Sequence, residues 1–358
     1  MRIAYLLHYN DTFENGVFKK VLAQTRTWVG YGNEVRIFMI SRKQELSSTH
    51  FGNIGLSVYH YGPNSRFQQW EACAAGILQW KPDLVYFRYD LYYPALAKLA
   101  KKIPMFIEIN TNDVYEYSLS SRYRDWYNRL TRSLLLNKAR GLISVTKELQ
   151  NNPAFAKFNK ASVTIGNGID LSTITPVPAP DNERARLVFI GTSGMAWHGV
   201  DKLILLAQHF VNWQFDIVGL KHEDVEGSIP QNVQLYGFLE RSAYAEIISR
   251  ADVAIGTLAL HRNQMQEASP LKTREYLAYG IPVIIGYEET DFPEQVPFIL
   301  RLPNTEDNVE SNLSEIQGFV EWAKGNRVPS ASVSHLDVSC KERQRVAFMR
   351  RVLEESKR

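Results

Sequence analysis

Glu267 and Glu275 form a Glu-x7-Glu pair in a stretch whose residue types fit the binding of a phosphorylated ligand. Ser269 is a good N-cap and Pro270 suits the first position of a helix, because its missing N–H would be unpaired there anyway. Gly280 is placed to end that helix. The sequence therefore predicts a loop that carries the first glutamate, a helix that carries the second, and a buried strand after them.

The charges of this predicted helix point to a bound anion. Lys272 and Arg274 fall in its first turns, where the helix dipole disfavours cations. An anion at the start of this helix, Ser269–Leu271, where backbone N–H groups are free, would remove that conflict. Helical side chains lean toward the N-terminus, so Glu275 can reach back toward the ligand. The pattern indicates a nucleoside-diphosphate site in which Glu275 binds ribose hydroxyls and Glu267 faces the group beyond the far phosphate. An ordinary capped surface helix is the alternative.

The composition is that of a soluble globular protein with room for two domains. The chain has 358 residues, of which 45% are hydrophobic and 22% charged. A net charge of +3 argues against a dedicated nucleic-acid-binding protein. Cys73 and Cys340 lie far apart, as expected for reduced thiols in a cytoplasmic protein. The N-terminal apolar run is too short for a signal peptide and no stretch is long enough to span a bilayer, so any membrane association is expected to be peripheral, on the inner face.

Short apolar runs alternate with amphipathic helical stretches, which is typical of parallel βαβ units. The predicted strands are 2–7, 34–39, 57–61, 84–87, 105–109, 141–145, 162–165, 186–190, 214–218, 233–236, 253–257 and 282–285. A proline-rich stretch at 175–183 is the predicted linker. We therefore expect a first domain over 1–175 and a second over 184–338. Open parallel sheets bind ligands beyond the carboxyl ends of their strands, so the loops there hold the candidate residues.

The loop after the strand predicted over 186–190 is rich in glycine. Gly191 and Gly194 allow the backbone to approach a ligand closely, and the next helix is expected to begin near Gly199. A phosphate contact is therefore expected here. The alternative is a plain glycine turn beside a packed Trp197.

These motifs resemble the sugar-nucleotide site of retaining glycosyltransferases of the GT-B fold, family four (glycosyl transferases group 1) in particular. The Glu-x7-Glu spacing with the following Tyr-Leu-Ala-x-Gly-x-Pro-Val-Ile run carries the resemblance, together with Trp-x-Gly-x-Asp at 197–201 and Asn-Gly-Ile-Asp at 167–170. It implies an α/β architecture of two Rossmann-like domains whose parallel sheets face a central cleft. The first domain would bind the acceptor and the second the donor, and a last helix at about 339–358 would pack back on the first.

The resemblance also implies roles for single residues. Glu267 would orient the transferred sugar, while Lys272 and His198 would stabilise the leaving diphosphate, with His198 as a hydrogen-bond donor or a partial cation. The family often has Arg and Lys where Ser193 and His198 stand. The implied donor-binding set is Glu275, Ser269, Pro270, Leu271, Gly191, Ser193, Gly194, Gly237, Phe238 and Leu239. Gly16 and Val17, at a helix start, and Asn110 and Asn112, in a polar turn, would contact the acceptor or sugar; a turn satisfied by its own side chains is equally compatible with the two asparagines.

The implied reaction is transfer of a sugar from a UDP- or GDP-sugar to a glycan or lipid-linked glycan, with retention of configuration, in polysaccharide or glycolipid biosynthesis. No cofactor is expected. The chain has no Asp-x-Asp pair and no His/Cys cluster, so no metal is expected either. The rival functions are a nucleotide-sugar 2-epimerase-like isomerase and a non-catalytic nucleotide-sugar-binding protein. A dinucleotide dehydrogenase is a weaker rival, since no Gly-x-Gly-x-x-Gly follows a strand.

A helix predicted over 120–140 has an aromatic and aliphatic face and many cations. The apolar side chains are Tyr123, Trp126, Tyr127, Leu130 and Leu134, and Asp125 is the acid among Arg122, Arg124, Arg129, Arg132, Lys138 and Arg140. One interpretation is a core helix with a solvated basic face. The other is a helix that lies on an anionic membrane surface, which would favour a lipid-linked acceptor.

Overall fold

The structure is a computed structural model that describes residues 1–355, apart from the side chain of Ser120. Residues 356–358, at the end of the helix predicted over 339–358, lie outside the described part. The chain forms two compact units. The first comprises Met1–Gly168 together with the chain from Val338 onward, and the second comprises Ile169–Asp337.

The strands are short apolar segments that the sequence pattern largely predicts. Those of the first unit are Arg2–His8 (β1), Glu34–Ser41 (β2), Thr49–Phe51 (β3), Ile54–His60 (β4), Leu84–Arg88 (β5), Met105–Ile109 (β6), Gly141–Ser144 (β7) and Ala161–Thr164 (β8). Those of the second unit are Arg186–Ile190 (β9), Gln214–Val218 (β10), Val233–Leu235 (β11), Val253–Ile255 (β12), Glu267–Ala268 (β13), Val283–Ile285 (β14), Glu288–Glu289 (β15) and Ile299–Arg301 (β16).

Both main sheets are parallel, which confirms the predicted α/β class. The first has the order β3-β4-β2-β1-β5-β6-β7-β8, with only β3 antiparallel, and the second has the order β11-β10-β9-β12-β14-β16. Strand β1 is buried from Ile3 to Leu7, as expected for a strand that is covered on both faces of its sheet. The sequence pattern misses β3, β13, β15 and β16, because each has only two or three residues and β13 and β15 are rich in glutamate.

Helices cover the faces of each sheet. They are Gly16–Gly30 (α1), Arg66–Trp80 (α2), Pro94–Ala100 (α3), Asp113–Ser120 (α4), Arg122–Leu136 (α5), Lys147–Asn151 (α6), Pro153–Ala156 (α7), Val200–His209 (α8), Arg241–Ser249 (α9), Leu271–Ala278 (α10), Leu313–Ala323 (α11), Ser330–Val333 (α12) and Val338–Glu355 (α13). Within residues 1–355, none of them combines the length and apolar character that a membrane crossing requires.

The chain passes from the first unit to the second earlier than the sequence analysis expects. The change falls after Gly168, and the chain returns at Val338. The proline-rich stretch 175–183 is attached to the second unit, where the Val177 N–H donates to the Tyr279 carbonyl at 3.0 Å. These residues therefore belong to the second unit and do not form a free linker.

Helix α5 contradicts the core-helix interpretation of its apolar face. Tyr123, Trp126, Leu130 and Leu134 are 73%, 58%, 60% and 48% exposed, and only Tyr127 of the predicted stripe is partly buried. A core helix buries such a stripe. The face that α5 does bury carries polar side chains as well as leucines.

A buried ion pair ties the last helix to the first unit. Arg345 and Glu342 of α13 are both fully buried and hydrogen-bond each other. The second Glu342 oxygen accepts from the Trp28 indole of α1 at 2.7 Å, and Gln24 donates to the first at 3.2 Å. Burial raises the pKa of Glu342, and the charge of Arg345 and the hydrogen bonds from Gln24 and Trp28 oppose that rise. The ionised form of this carboxyl therefore depends on the neighbouring guanidinium.

Arg345→Met is expected to destabilise the first unit by about 3–5 kcal/mol, because it leaves the buried Glu342 carboxylate without its cation. The measurement is urea unfolding followed by circular dichroism. Arg351→Met on the same helix is the matched control; that side chain is 64% exposed, so its loss should cost about 0–1 kcal/mol. Equal unfolding midpoints for the two variants would contradict this account of the pair.

Candidate functional site

Helix α10 is fastened to the carboxyl end of the second sheet by buried hydroxyls. The Tyr276 hydroxyl accepts the Ile190 N–H at the end of β9, at 2.7 Å. One turn earlier, the Thr273 hydroxyl lies 2.8 Å from the hydroxyl of Tyr287, and all three side chains are buried. These contacts hold the first turns of α10 beside the loop that follows β9.

The start of α10 differs by one residue from the prediction. Pro270 is the N-cap residue, with an extended backbone (φ −72°, ψ 139°), and Leu271 is the first helical residue. The first intrahelical bond runs from the Arg274 N–H to the Pro270 carbonyl at 3.4 Å. Ser269 is therefore not the N-cap but a buried residue before it. Proline adopts the extended conformation that an N-cap residue needs.

Glu267 lies in strand β13 and not in the predicted loop. This strand pairs in parallel with β15, so that Glu267 is the register partner of Glu288. Glu267 is partly buried. The pairing fixes the backbone of Glu267 four residues before the first residue of α10.

Arg274 is not available to an anion, which corrects the sequence analysis. Its side chain is 1% exposed and pairs with Glu289 at 2.7 Å and Asp291 at 2.5 Å. Burial disfavours the cation, but the Glu289 and Asp291 carboxylates raise the pKa of Arg274 above its usual value. Of the two cations in the first turns of α10, Lys272 therefore remains the candidate for contact with a bound anion.

The Lys272 ammonium is buried at the start of α10 without a counter-charge. Its Nζ lies 4.1 Å from the centre of the Phe189 ring and has no hydrogen-bond partner among the described residues. Burial lowers the pKa of Lys272 to about 7. The cation–π contact stabilises the charge only in part. A bound anion would therefore lower the free-energy cost of burying this ammonium.

His198 lies beside Phe189 and Lys272 and is a neutral side chain. Burial, and then the nearby Lys272 charge, lower the pKa of His198 well below its usual value. The Thr192 N–H points to His198 Nδ1 at 3.5 Å, which leaves the proton on Nε2. The lowered pKa favours the hydrogen-bond donor over the partial cation, and the free proton of His198 lies on Nε2.

The loops after β9, β10 and β11 meet through their glycine backbones. A Cβ on Gly219, which has φ +91°, would lie 2.0 Å from the Gly191 carbonyl oxygen. The Gly219 N–H donates to the Gly237 carbonyl at 2.7 Å, and the Gly237 N–H donates to the Leu220 carbonyl at 2.9 Å. The structure thus brings the predicted Gly191 and Gly237 together through Gly219. The sequence analysis misses Gly219, although a glycine directly after a predicted strand could have identified it.

Ser193 and its neighbours are placed less favourably for a diphosphate. The Ser193 hydroxyl donates to Asp224 at 2.5 Å, so a carboxylate lies where the family often has cations. Gly194, with φ +77°, is exposed. Phe238 is 71% exposed and Leu239 is partly buried, directly after Gly237.

Glu275 is held by two residues of α9 that the sequence analysis does not identify. Arg241 Nε lies 3.3 Å from its carboxylate, and the Tyr244 hydroxyl donates to it at 3.1 Å. The Glu275 side chain is 16% exposed. Burial and the Glu275 charge raise the pKa of Tyr244, so its hydroxyl remains a donor. The carboxylate is thus pre-oriented and still partly open to solvent.

In the first unit, Lys20 joins the two loops predicted to contact an acceptor. Gly16 begins α1, and the Val17 N–H is already bound by the Asn15 side chain at 2.8 Å. Lys20 Nζ lies 2.8 Å from Glu108 and 3.3 Å from Asn110. Burial lowers the pKa of Lys20 to about 8, against the attraction of Glu108.

The two asparagines of the polar turn keep unbonded polar atoms. Asn110 Nδ2 and Asn112 Oδ1 are buried and have no hydrogen-bond partner among the described residues. Asn112 is the N-cap residue of α4, but its side chain forms no cap bond. A turn satisfied by its own side chains would leave no such atoms, so the ligand-contact alternative gains support over that one.

His8, at the end of β1, is fully occupied by protein partners. Its Nδ1 lies 2.6 Å from Asp90, and its Nε2 lies 2.7 Å from the Tyr61 hydroxyl. Burial alone would raise the pKa of Asp90, but hydrogen bonds from His8 and Tyr117 and the charge of Arg66 lower it to about 2. His8 therefore has a structural role. Within residues 1–355, no group of three or more His, Cys, Asp or Glu side chains is placed to hold a metal ion.

Lys272→Met is expected to be more stable than the wild type at pH 7 in phosphate-free buffer. An unfolded lysine binds its proton up to about pH 10, whereas folded Lys272 loses it near pH 7. The unfolded chain then binds more protons, so wild-type stability rises with pH, and the advantage of the variant should shrink by about 1–3 kcal/mol from about pH 7 to about pH 9. Urea unfolding at both pH values measures it. The exposed Lys324→Met is the control, and a wild type and Lys272→Met with parallel pH profiles would refute the buried cation.

No protein-family profile matches the sequence, and no curated protein sequence matches it. Solved structures match nearly the whole chain. Sucrose-phosphate synthase from Thermosynechococcus elongatus is 15% identical with a TM-score of 0.74, covering 98% of this chain and 99% of that chain. The lipopolysaccharide outer core galactosyltransferase WaaB, in its apo form, is 13% identical with a TM-score of 0.69 (98% and 100% covered). HepE of Anabaena, in complex with UDP and glucose, is 15% identical with a TM-score of 0.65 (97% and 99% covered). These proteins are GT-B glycosyltransferases, and this chain has their fold.

Proposed function

We propose that this chain is a glycosyltransferase that moves a sugar from a nucleoside-diphosphate sugar to a hydroxyl acceptor with retention of configuration. The proposal combines the GT-B fold with the chemistry at the start of α10. The observation that carries it is Lys272, a buried ammonium at a helix N-terminus that has no counter-charge within the described part of the chain. A diphosphate supplies the missing negative charge, and the free N–H groups of the helix start bind its oxygens.

The other residues of the site take roles that fit their contacts. Glu275, oriented by Arg241 and Tyr244, accepts hydrogen bonds from the ribose hydroxyls. His198 donates through Nε2 to the diphosphate. Glu267 accepts hydrogen bonds from hydroxyls of the transferred sugar. The backbones at Gly191 and Gly237 allow close approach of the nucleotide.

The proposed chemistry needs no nucleophile from the protein. The bond from the anomeric carbon to the diphosphate oxygen breaks, and a bond to the acceptor oxygen forms on the same face of the sugar. The acceptor proton passes to the leaving diphosphate oxygen. Lys272 and the start of α10 then lower the barrier by stabilising the charge that develops on this diphosphate. The proposed reaction uses no cofactor and no metal.

The acceptor is proposed to be a glycan or a lipid-linked glycan, in polysaccharide or glycolipid biosynthesis at the cytoplasmic side of a membrane. The unbonded atoms of Asn110 and Asn112 support a sugar contact in the first unit, because amide groups hydrogen-bond hydroxyls well. Gly16 and Val17 are retained as candidates by their position at the start of α1. An epimerase would differ by converting the donor without any acceptor, and a non-catalytic binding protein would bind it without turnover.

Glu275→Gln is expected to weaken nucleotide-diphosphate binding by about 10-fold, since a carboxylate that accepts hydrogen bonds contributes more than a neutral amide. Calorimetric titration with UDP and with GDP, in the presence of EDTA, measures the affinity and identifies the base. The matched control is Glu246→Gln on α9, whose side chain is 68% exposed. Binding of neither nucleotide, or equal affinities for the two variants, would contradict the donor site.

Glu267→Ala is expected to lower kcat by about 100-fold or more with little change in the KM of the donor, because it acts on the transferred sugar and not on the nucleotide. The assay follows release of UDP or GDP from the matching donor with water as the acceptor. Glu288→Ala, at the register partner on β15, is the control. A variant with unchanged kcat, or a product that is an epimerised donor, would rule out this role.

A further inference from the structure

The side of α5 that faces away from the first unit is an apolar stripe. It consists of Tyr123, Trp126, Leu130 and Leu134, which follow one another at spacings of three or four residues and therefore lie on one side of the helix. Leu119, near the end of the separate helix α4, is also 55% exposed. We call Tyr123, Trp126, Leu130 and Leu134 the α5 stripe.

The opposite side of α5 attaches the helix to the unit. Asn128, Arg132, Leu135 and Leu136 are buried. Arg132 forms a two-bond ion pair with Asp113, at 2.9 and 2.7 Å. An ordinary surface helix buries most of its apolar side chains, whereas α5 buries two leucines with two polar side chains and leaves the α5 stripe exposed.

Basic side chains border the α5 stripe on both sides. Arg122 and Arg124 are exposed and form no ion pair with any described residue. At about 100° per residue they lie on either side of the line through Tyr123. Arg129 is also exposed, but it pairs with Asp125 at 2.7 Å. The flanks of the stripe are thus positively charged, and the complementary surface is negative.

We propose that the α5 stripe docks on the surface of a bilayer that contains anionic lipid. Trp and Tyr with leucines on one side of a helix, flanked by arginines, match the requirements of the lipid interface: rings and leucines enter the acyl boundary while the guanidinium groups reach headgroup phosphates. Tyr, Trp and Arg are also enriched at protein interfaces, so a second copy of the chain is the rival occupant that the test below distinguishes. The proposal concerns the first unit alone and does not depend on the donor chemistry.

The test is flotation of the full-length protein with vesicles of phosphatidylcholine, with and without phosphatidylglycerol. The wild type should bind the anionic vesicles, and this binding should weaken at high salt. Trp126→Ser combined with Leu130→Ser should reduce binding by about 10-fold or more, because most of the buried apolar area is lost. Arg122→Ser combined with Arg124→Ser should reduce it by about 10-fold on anionic vesicles only.

Val211→Ser is the matched control, since it removes a 66% exposed apolar side chain in the second unit and should leave vesicle binding unchanged. Circular dichroism and UDP or GDP titration of each variant separate a folding defect, or a failure of the donor site, from loss of docking. Three outcomes would overturn the proposal. They are binding to neither vesicle, a dimer in sedimentation equilibrium that the Trp126→Ser and Leu130→Ser pair abolishes, and tighter binding to duplex DNA that only the arginine pair abolishes.

Discussion

Parallel strand pairing is the constraint on which the candidate site of the second unit depends. Because β9, β10, β11 and β12 run in one direction, the loops that follow them all emerge at the same edge of the sheet. Gly219 has to be a glycine for the first two loops to touch, because a Cβ there would lie 2.0 Å from the Gly191 carbonyl oxygen. The hydroxyl of Tyr276 then fastens α10 to the end of β9. This helix carries Lys272 and Glu275, two of the side chains proposed to bind the donor.

The charged side chains at this edge of the sheet differ in whether a protein partner of opposite charge compensates them. Arg274 and Glu275 are adjacent and both largely buried, yet each has protein partners of opposite charge. Lys272 has no such partner among the described residues, and its ammonium lies against the face of Phe189. A buried ammonium without an anion costs free energy, so a folded protein keeps one where a ligand supplies the missing charge or where a small loss of stability is tolerated. The start of α10 favours the first explanation, since its N–H groups bind the same kind of ligand.

The sequence predicted most of the fold, because short continuous apolar runs and helical punctuation are local signals. The prediction failed where the role of a side chain depends on partners that are distant in the sequence. Arg274 and Lys272 look alike in sequence, and only the distant Glu289 and Asp291 distinguish them. The α9 partners of Glu275 lie about thirty residues earlier and leave no spacing pattern. Strands such as β13 are too short for periodicity, so the pairing of Glu267 was not predictable.

Helix α5 shows how a helix can keep its apolar side free. An ordinary surface helix is held in place by the apolar residues that it buries. In α5 most of the large apolar side chains are exposed instead. Its attachment relies instead on Arg132, which pairs with Asp113, donates to the Ala154 carbonyl at 2.7 Å and stacks on Phe155. A buried, two-bond ion pair is specific in direction and is not weakened when the outer side leaves water. The helix can therefore stay folded on its unit whether its stripe faces solvent or lipid.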